Sequence, residues 1–233
     1  MREVTVTDAT AGHLQRASRI VVHPLTVRVT HWLNAIAMFI MIASGWRIYN
    51  SEPILPFHFP VELTLGGSYE GSEDIHNEDG LAGALQWHFA GMWLLTINGI
   101  VYLIYGIVSG HFRRMFLPVG PTAFLRDAMA ALQLRLPHRF GVYNAVQKAL
   151  YVGVLGAGVL MVLSGLAIWK PGQFQELTWL FGGFDVARVV HFVGMAAIVL
   201  FLVVHIALVI IVPKTLPAIV TGHALTDEAG TGD

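Results

Sequence analysis

Arg188-Val-Val-His191-Phe-Val-Gly-Met-Ala-Ala-Ile-Val-Leu-Phe-Leu-Val-Val-His205 is an apolar run with two histidines fourteen residues apart. In an α-helix fourteen residues advance about 21 Å and return to within about 40° of four full turns. Both imidazoles therefore leave one face of the helix at two depths. If the run crosses a membrane, a single helix offers one ligand near each surface.

The rest of the chain fits that setting. Of 233 residues, 55% are hydrophobic and 12% charged, with a mean hydropathy of +0.63. Soluble domains carry about 25% charged residues, so this composition describes a polytopic membrane protein, expected to be all-α. Four stretches are long and apolar enough to cross about 30 Å of hydrocarbon: 29–49, 85–108, 146–169 and 189–212. Trp32 and Trp46 flank the first, where amphipathic rings favour the headgroup level. The chain has no cysteine, which excludes disulfides, thiolate-bound iron–sulfur clusters and thioether-anchored haem. The sequence divides into an arm (1–22), a four-span domain (23–215) and a short tail (216–233). It shows no cleavable signal segment, internal repeat or interdomain linker. Residues 121–136 read as a short amphipathic surface helix.

Charge sets the expected orientation. With the N-terminus inside, eleven Lys and Arg lie at the inner side, and only Arg47, Lys170 and Arg188 lie outside. The expected fold is thus a four-transmembrane-helix bundle with both termini cytoplasmic. The loop 50–80, with seven acidic residues and no Lys or Arg, is then extracytoplasmic.

Topology sorts the histidines of the spans. His88 opens the second span and His191 the fourth, both at the outer level; His31 opens the first span and His205 lies deep in the fourth, both at the inner level. Ionisable side chains inside a bilayer are costly and generally face the bundle interior. Two depth-matched imidazole pairs suit two haems with bis-histidine ligation. They do not suit structural zinc, which takes four ligands in one tetrahedron. Taken singly, any of these histidines also reads as a packing or interfacial residue. His13, His23, His58, His76, His111, His138 and His223 lie in loops, tails or helix ends and read as solvated.

Glycines fall on the same faces, where a flat macrocycle needs close backbone approach. Gly91 and Gly194 follow the outer histidines by one turn, and Gly45 follows His31 by fourteen residues. Gly99 and Gly106 continue the face of the second span. Small residues also serve helix packing in membranes, so each alone says little. Arg47, Lys170 and Arg188 at the outer edge, and Arg28 at the inner, are placed to meet haem propionates or to snorkel towards headgroups.

Arg28-x-x-His31-Trp32 with Ser44-Gly45, Trp87-His88-Phe89-x-Gly91, Tyr143-Asn144-Ala-x-Gln147-Lys148 and Ser164-Gly165-x-x-Ile-Trp-Lys170-Pro together resemble the bacterial cytochrome b561 and nickel-hydrogenase cytochrome b family. The resemblance covers residues 23–215. It implies a subunit with two haem b groups in the bacterial inner membrane, carrying electrons between a periplasmic oxidoreductase and membrane quinone. A molybdenum enzyme is the first expected partner and a hydrogenase the second. The lipid bilayer is the remaining partner, and no nucleic acid is expected. It further implies a quinone site at the inner side around Tyr143, Asn144, Gln147 and Lys148. Two alternatives remain: a free-standing quinol oxidoreductase acting on a small oxidant such as superoxide, and a haem-free membrane scaffold.

Overall fold

The computed structural model describes residues 19–66, 79–116, 120–133, 144–213 and 216–225. Four long helices dominate: α1 (Leu25–Ser51), α2 (Asp79–Val108), α5 (Ala145–Trp169) and α7 (Phe184–Ile211). All four are long and apolar enough to span a bilayer. Short helices α3 (His111–Met115) and α4 (Pro121–Leu132) follow α2, α6 (Gln175–Leu180) precedes α7, and α8 (Leu216–Thr221) closes the chain. The expected amphipathic segment is α4.

Three of the four long helices start on local chemistry. Pro24, extended at φ −58° and ψ 152°, precedes α1, where a missing N–H costs nothing. Asn144 caps α5: its side chain accepts from the Gln147 N–H at 2.9 Å, and the Gln147 side chain accepts from the Asn144 N–H at 3.2 Å. Asp127 of α4 accepts from the Ala145 N–H at 2.9 Å, tying α4 to the start of α5. That N–H, more than the adjacent Arg126, holds the Asp127 carboxyl below its usual pKa. The contact is therefore complete above the ordinary carboxylate range and is lost as pH falls through the lowered value. Gly182 and Gly183, at φ 86° and 104°, make the turn from α6 into α7 in a region that side chains rarely enter.

The helices form two antiparallel hairpins, α1 with α2 and α5 with α7, and close backbone contact is concentrated within each. Between the hairpins runs a seam. The packing is that of a lipid-embedded bundle: Ala37, Ala84, Ala167 and Ala187 are fully buried, while many Ile, Leu, Val and Phe side chains face outward. Small residues let helices approach closely where no hydrophobic drive separates lipid from core.

The seam is closed at both ends. One end, here the loop end, carries Ser51, Trp169 and Phe184. There Trp46 stacks on Phe59 with ring centres 4.6 Å apart, and Tyr49 meets Phe192 across the seam at 5.1 Å. The Asn50 amide donates to the Phe59 carbonyl and accepts from its N–H, folding the first loop over this end. Arg188 donates to the Glu52 carbonyl at 2.7 Å and lies 3.4 Å from its carboxylate.

At the other, terminal end residues of the arm and of the tail meet in a two-stranded antiparallel ladder, β1 (Arg19–Val21) with β2 (His223–Leu225). Arg28 donates to the Val220 carbonyl. Gly222, at φ 85°, leaves no room for a side chain, since a Cβ would lie 2.9 Å from the His23 carbonyl. Burial of His23, with His111 and then Arg28 nearby, lowers its pKa. The paired residues lie 202 to 206 positions apart in the chain, so the pairing has no local sequence signal.

Candidate cofactor site in the seam

The four span histidines project into the seam. His88 of α2 faces His191 of α7 with ring centres 6.4 Å apart and planes inclined at 62°. His31 of α1 faces His205 of α7 at 6.2 Å and 65°. The two pairs lie at opposite ends of the seam, separated along α7 by the fourteen residues between His191 and His205.

The spacing tests a cofactor fit. An imidazole nitrogen sits roughly an ångström from its ring centre. Two rings bound from opposite sides to one metal, at about 2.0 Å per bond, therefore have centres about 6 Å apart. Both pairs meet that distance. Among the described residues no cluster of three or more His, Asp or Glu could hold an ion. The donor set is thus two facing imidazole pairs, which fits bis-histidine haem.

Two donors on α1 add to the fit. The Arg28 Nε and Trp46 Nε1 hydrogens are buried and have no partner among the described residues. Eighteen residues separate them, five full turns at 3.6 residues each, so they share a face at the two ends of the seam. Each suits a carboxylate such as a haem propionate. Trp46 reads from sequence only as an interfacial aromatic, because nothing local signals a buried indole N–H.

Sequence-expected glycines divide by role. A Cβ on Gly45 would meet His88 Cε1 at 3.4 Å, so Gly45 does open space beside a histidine. Gly91 does not: its missing Cβ makes room for Ile40 and Met41 of α1, which a Cβ would approach to 2.9 and 3.0 Å. Gly194 likewise admits Met161, and Gly106 admits the Phe112 ring. These three are helix-packing positions. The glycine that matches Gly45 is Gly165, whose Cβ would meet His191 Cε1 at 3.4 Å.

That match extends further. Met41-x-x-Ser44-Gly45 on α1 repeats as Met161-x-x-Ser164-Gly165 on α5, and His88-Phe-x-Gly91-Met on α2 repeats as His191-Phe-x-Gly194-Met on α7. Ala84 and Ala187, one turn before each histidine, are both fully buried. The hairpins thus carry an internal repeat, where the sequence is expected to have none. Its halves differ in spacing, with forty-four residues between Ser44 and His88 against twenty-seven between Ser164 and His191. The repeat ends at the other level: the counterparts of His31 and His205 are Tyr151 and Tyr102.

Other expected residues are placed as follows. Lys170 Nζ lies 5.3 Å from the centre of the Trp169 ring. Arg47 is in the last two turns of α1, at the loop end. Asn144 and Gln147 spend their side chains on the α5 cap, Lys148 lies in its first turn, and Tyr143 lies outside the described residues. Near His31, buried Asn98 of α2 donates to the Thr30 carbonyl at 2.8 Å and to Asn34 Oδ1 at 2.7 Å, fixing the register of α1 on α2.

Fold and site together define a multi-pass membrane bundle built around facing histidine pairs, the architecture of a b-type cytochrome. The sequence profile of prokaryotic cytochrome b561 matches residues 22–222, and the chain belongs to that family. It is a multi-pass electron-transport protein of the bacterial inner membrane, and its family carries b-type haem. Over 203 residues it is 46% identical to the putative protein-methionine-sulfoxide reductase subunit YedZ1 of Azospira oryzae, covering 87% of this chain and 96% of that one. It is 23% identical over 217 residues to a probable Ni/Fe-hydrogenase B-type cytochrome subunit of Bradyrhizobium diazoefficiens (85% and 81% covered). A protein of the same description from Cupriavidus necator is 24% identical over 203 residues (79% and 76% covered).

Proposed function

We propose that residues 23–215 form a dihaem cytochrome b domain with both termini cytoplasmic. It would carry electrons between membrane quinone and an oxidoreductase docked at the periplasmic loop end. The observation that carries this reading is the pair of imidazole separations, 6.4 and 6.2 Å, at the two ends of one seam. His88 and His191 would hold the outer haem, and His31 and His205 the inner one. Haem supplies reversible one-electron transfer. The chain's residues bind and orient the macrocycle, exclude water from the seam, and offer N–H donors to its carboxylates. Arg28 Nε serves the inner level and Trp46 Nε1 the outer, with Arg47, Arg188 and Lys170 at the loop-end rim.

Greater identity to a methionine-sulfoxide reductase subunit than to hydrogenase cytochromes favours a reductase partner over a hydrogenase. Reduction of a sulfoxide takes up two electrons and two protons and releases water, so the partner consumes electrons and a quinol supplies them. The reading requires a b-type reduced-minus-oxidised spectrum and two haems per chain by haemochrome assay. An intact purified chain without haem would overturn it.

The inner quinone site is proposed around Asn144, Gln147, Lys148 and Tyr143, on the family resemblance. The cap supplies a competing reason for Asn144, and two variants separate them. Asn144→Ala loses the cap, worth about 1 kcal/mol. Asn144→Asp keeps an oxygen for the Gln147 N–H but removes the amide. Slower quinone turnover in both variants, with lower thermal stability only in the first, is the expected result. Unchanged quinone kinetics in Asn144→Asp, with both haems present, would remove Asn144 from the site.

A further inference from the structure

Among the described residues both outer histidines, and neither inner one, are held by a serine. Ser44 Oγ lies 3.0 Å from His88 Nδ1, and Ser164 Oγ lies 2.9 Å from His191 Nδ1. Both serines are fully buried, and each sits on the helix paired with the histidine's own. The direction of these bonds can be worked out. Each serine hydroxyl is within reach of a carbonyl four residues back: Ile40 at 2.5 Å for Ser44 and Leu160 at 2.7 Å for Ser164. A hydroxyl has one proton, and a carbonyl can only accept, so the proton goes to the carbonyl. The serine oxygen is left as an acceptor, and the histidine donates its Nδ1–H towards it, with the Met41 carbonyl beside His88 and the Met161 carbonyl beside His191 as further acceptors. That fixes the tautomer, leaving Nε2 of both rings with a free lone pair. His31 and His205 have only ring neighbours, Trp32 at 5.4 Å and Phe201 at 5.9 Å, and no hydrogen-bonded partner among the described residues.

We propose that Ser44 and Ser164 are paired positioning residues. They set the outer imidazoles in one tautomer and orientation and so place the outer haem's reduction potential below the value it would have without them. The inference rests on the dihaem reading above. A ligand that donates its second N–H to an acceptor is held in orientation and made more basic. A more basic ligand stabilises the more positive ferric iron and so lowers the potential. Among the described residues the inner pair has no such bond, so the two centres of an otherwise similar bundle are tuned differently. The internal repeat supplies both serines, and where it stops the serine–histidine unit stops too.

The test is a redox titration of the purified, haem-loaded full chain, with haem counted per chain and the ferric EPR signal recorded. The outer wave is identified as the one missing from His191→Ala. In S44A/S164A the outer wave should move to higher potential, with a smaller rise in each single variant, and the inner wave should stay in place. The EPR signal of the outer centre should change as its rings gain rotational freedom. Ser44→Thr with Ser164→Thr, which keeps both hydroxyls, should restore the native potential. Two haems with unchanged outer potential and EPR signal in S44A/S164A would overturn the proposal and leave the dihaem reading intact. A native chain lacking the outer haem would overturn the dihaem reading itself. If S44A/S164A loses the outer haem, recovery by the threonine pair supports the proposal. Loss that threonine does not reverse assigns the serines to packing and overturns it.

Discussion

Replacing His191 with alanine is expected to halve the haem content, from two per chain to one, and to leave the remaining haem reducible by quinol. The reason is geometric. His191 and His88 face each other across the seam with ring centres 6.4 Å apart, and among the described residues no third His, Asp or Glu joins them as a ligand. Alanine leaves one imidazole on one side and the Ser164 hydroxyl without its partner on the other. The inner pair lies fourteen residues further along α7 and keeps its own contacts. His88→Ala should remove the same titration wave as His191→Ala. His31→Ala and His205→Ala should both remove the other. Haemochrome assay and potentiometric titration of the four variants check this. Loss of one and the same haem by His88→Ala and His31→Ala would show the pairing to be wrong.

The second large effect concerns space beside the rings. Gly165→Val and Gly45→Val should each empty the outer site while leaving the inner haem bound. A Cβ at either glycine already touches a histidine Cε1 at 3.4 Å, which is ordinary contact. Alanine is therefore expected to be tolerated. Valine adds two further carbons in a place where the ring would have to move. Overpacking of this kind costs about 1–3 kcal/mol, and the histidine yields before the helices do. Gly194→Val gives the contrast. Its Cβ would come within 2.7 Å of Met161 Sδ, so it disturbs the packing of α7 on α5 and should lower thermal stability. Haem stoichiometry beside a melting curve distinguishes the two outcomes. Full outer-haem occupancy in Gly165→Val would show that this glycine does not border the cofactor.

Much of the site is legible in the residues because the governing constraints are local and periodic. Apolar length gives the spans. Spacing at 3.6 residues per turn puts His191 and His205 on one face, and the alternating direction of the spans sorts the four histidines by depth. Gly45 follows from the same periodicity. What the residues leave out comes from facts that periodicity does not carry. Gly91 shares the histidine face in projection, yet it turns towards α1, because the hairpin partner and not the seam fills the space beside it. Asn144 matches a family motif, but its amide oxygen is engaged at the first turn of α5. The contacts of Gly165, Trp46 and the two serines come into view only when separate helices are set side by side.

The sequence alone determined that this chain is a four-span membrane bundle, which histidines share a depth, and which family it resembles. Hydrophobic length and helical period suffice for that. Tertiary structure decided that the helices pair as α1 with α2 and α5 with α7, leaving a seam bridged by imidazoles at coordination distance. It also revealed the repeat behind the outer site, joined the two chain ends in a ladder, and gave each outer histidine a serine from a neighbouring helix. Those features depend on contacts between residues far apart in the chain. A buried hydroxyl or indole chooses its partner by proximity in space, and no local pattern encodes that choice.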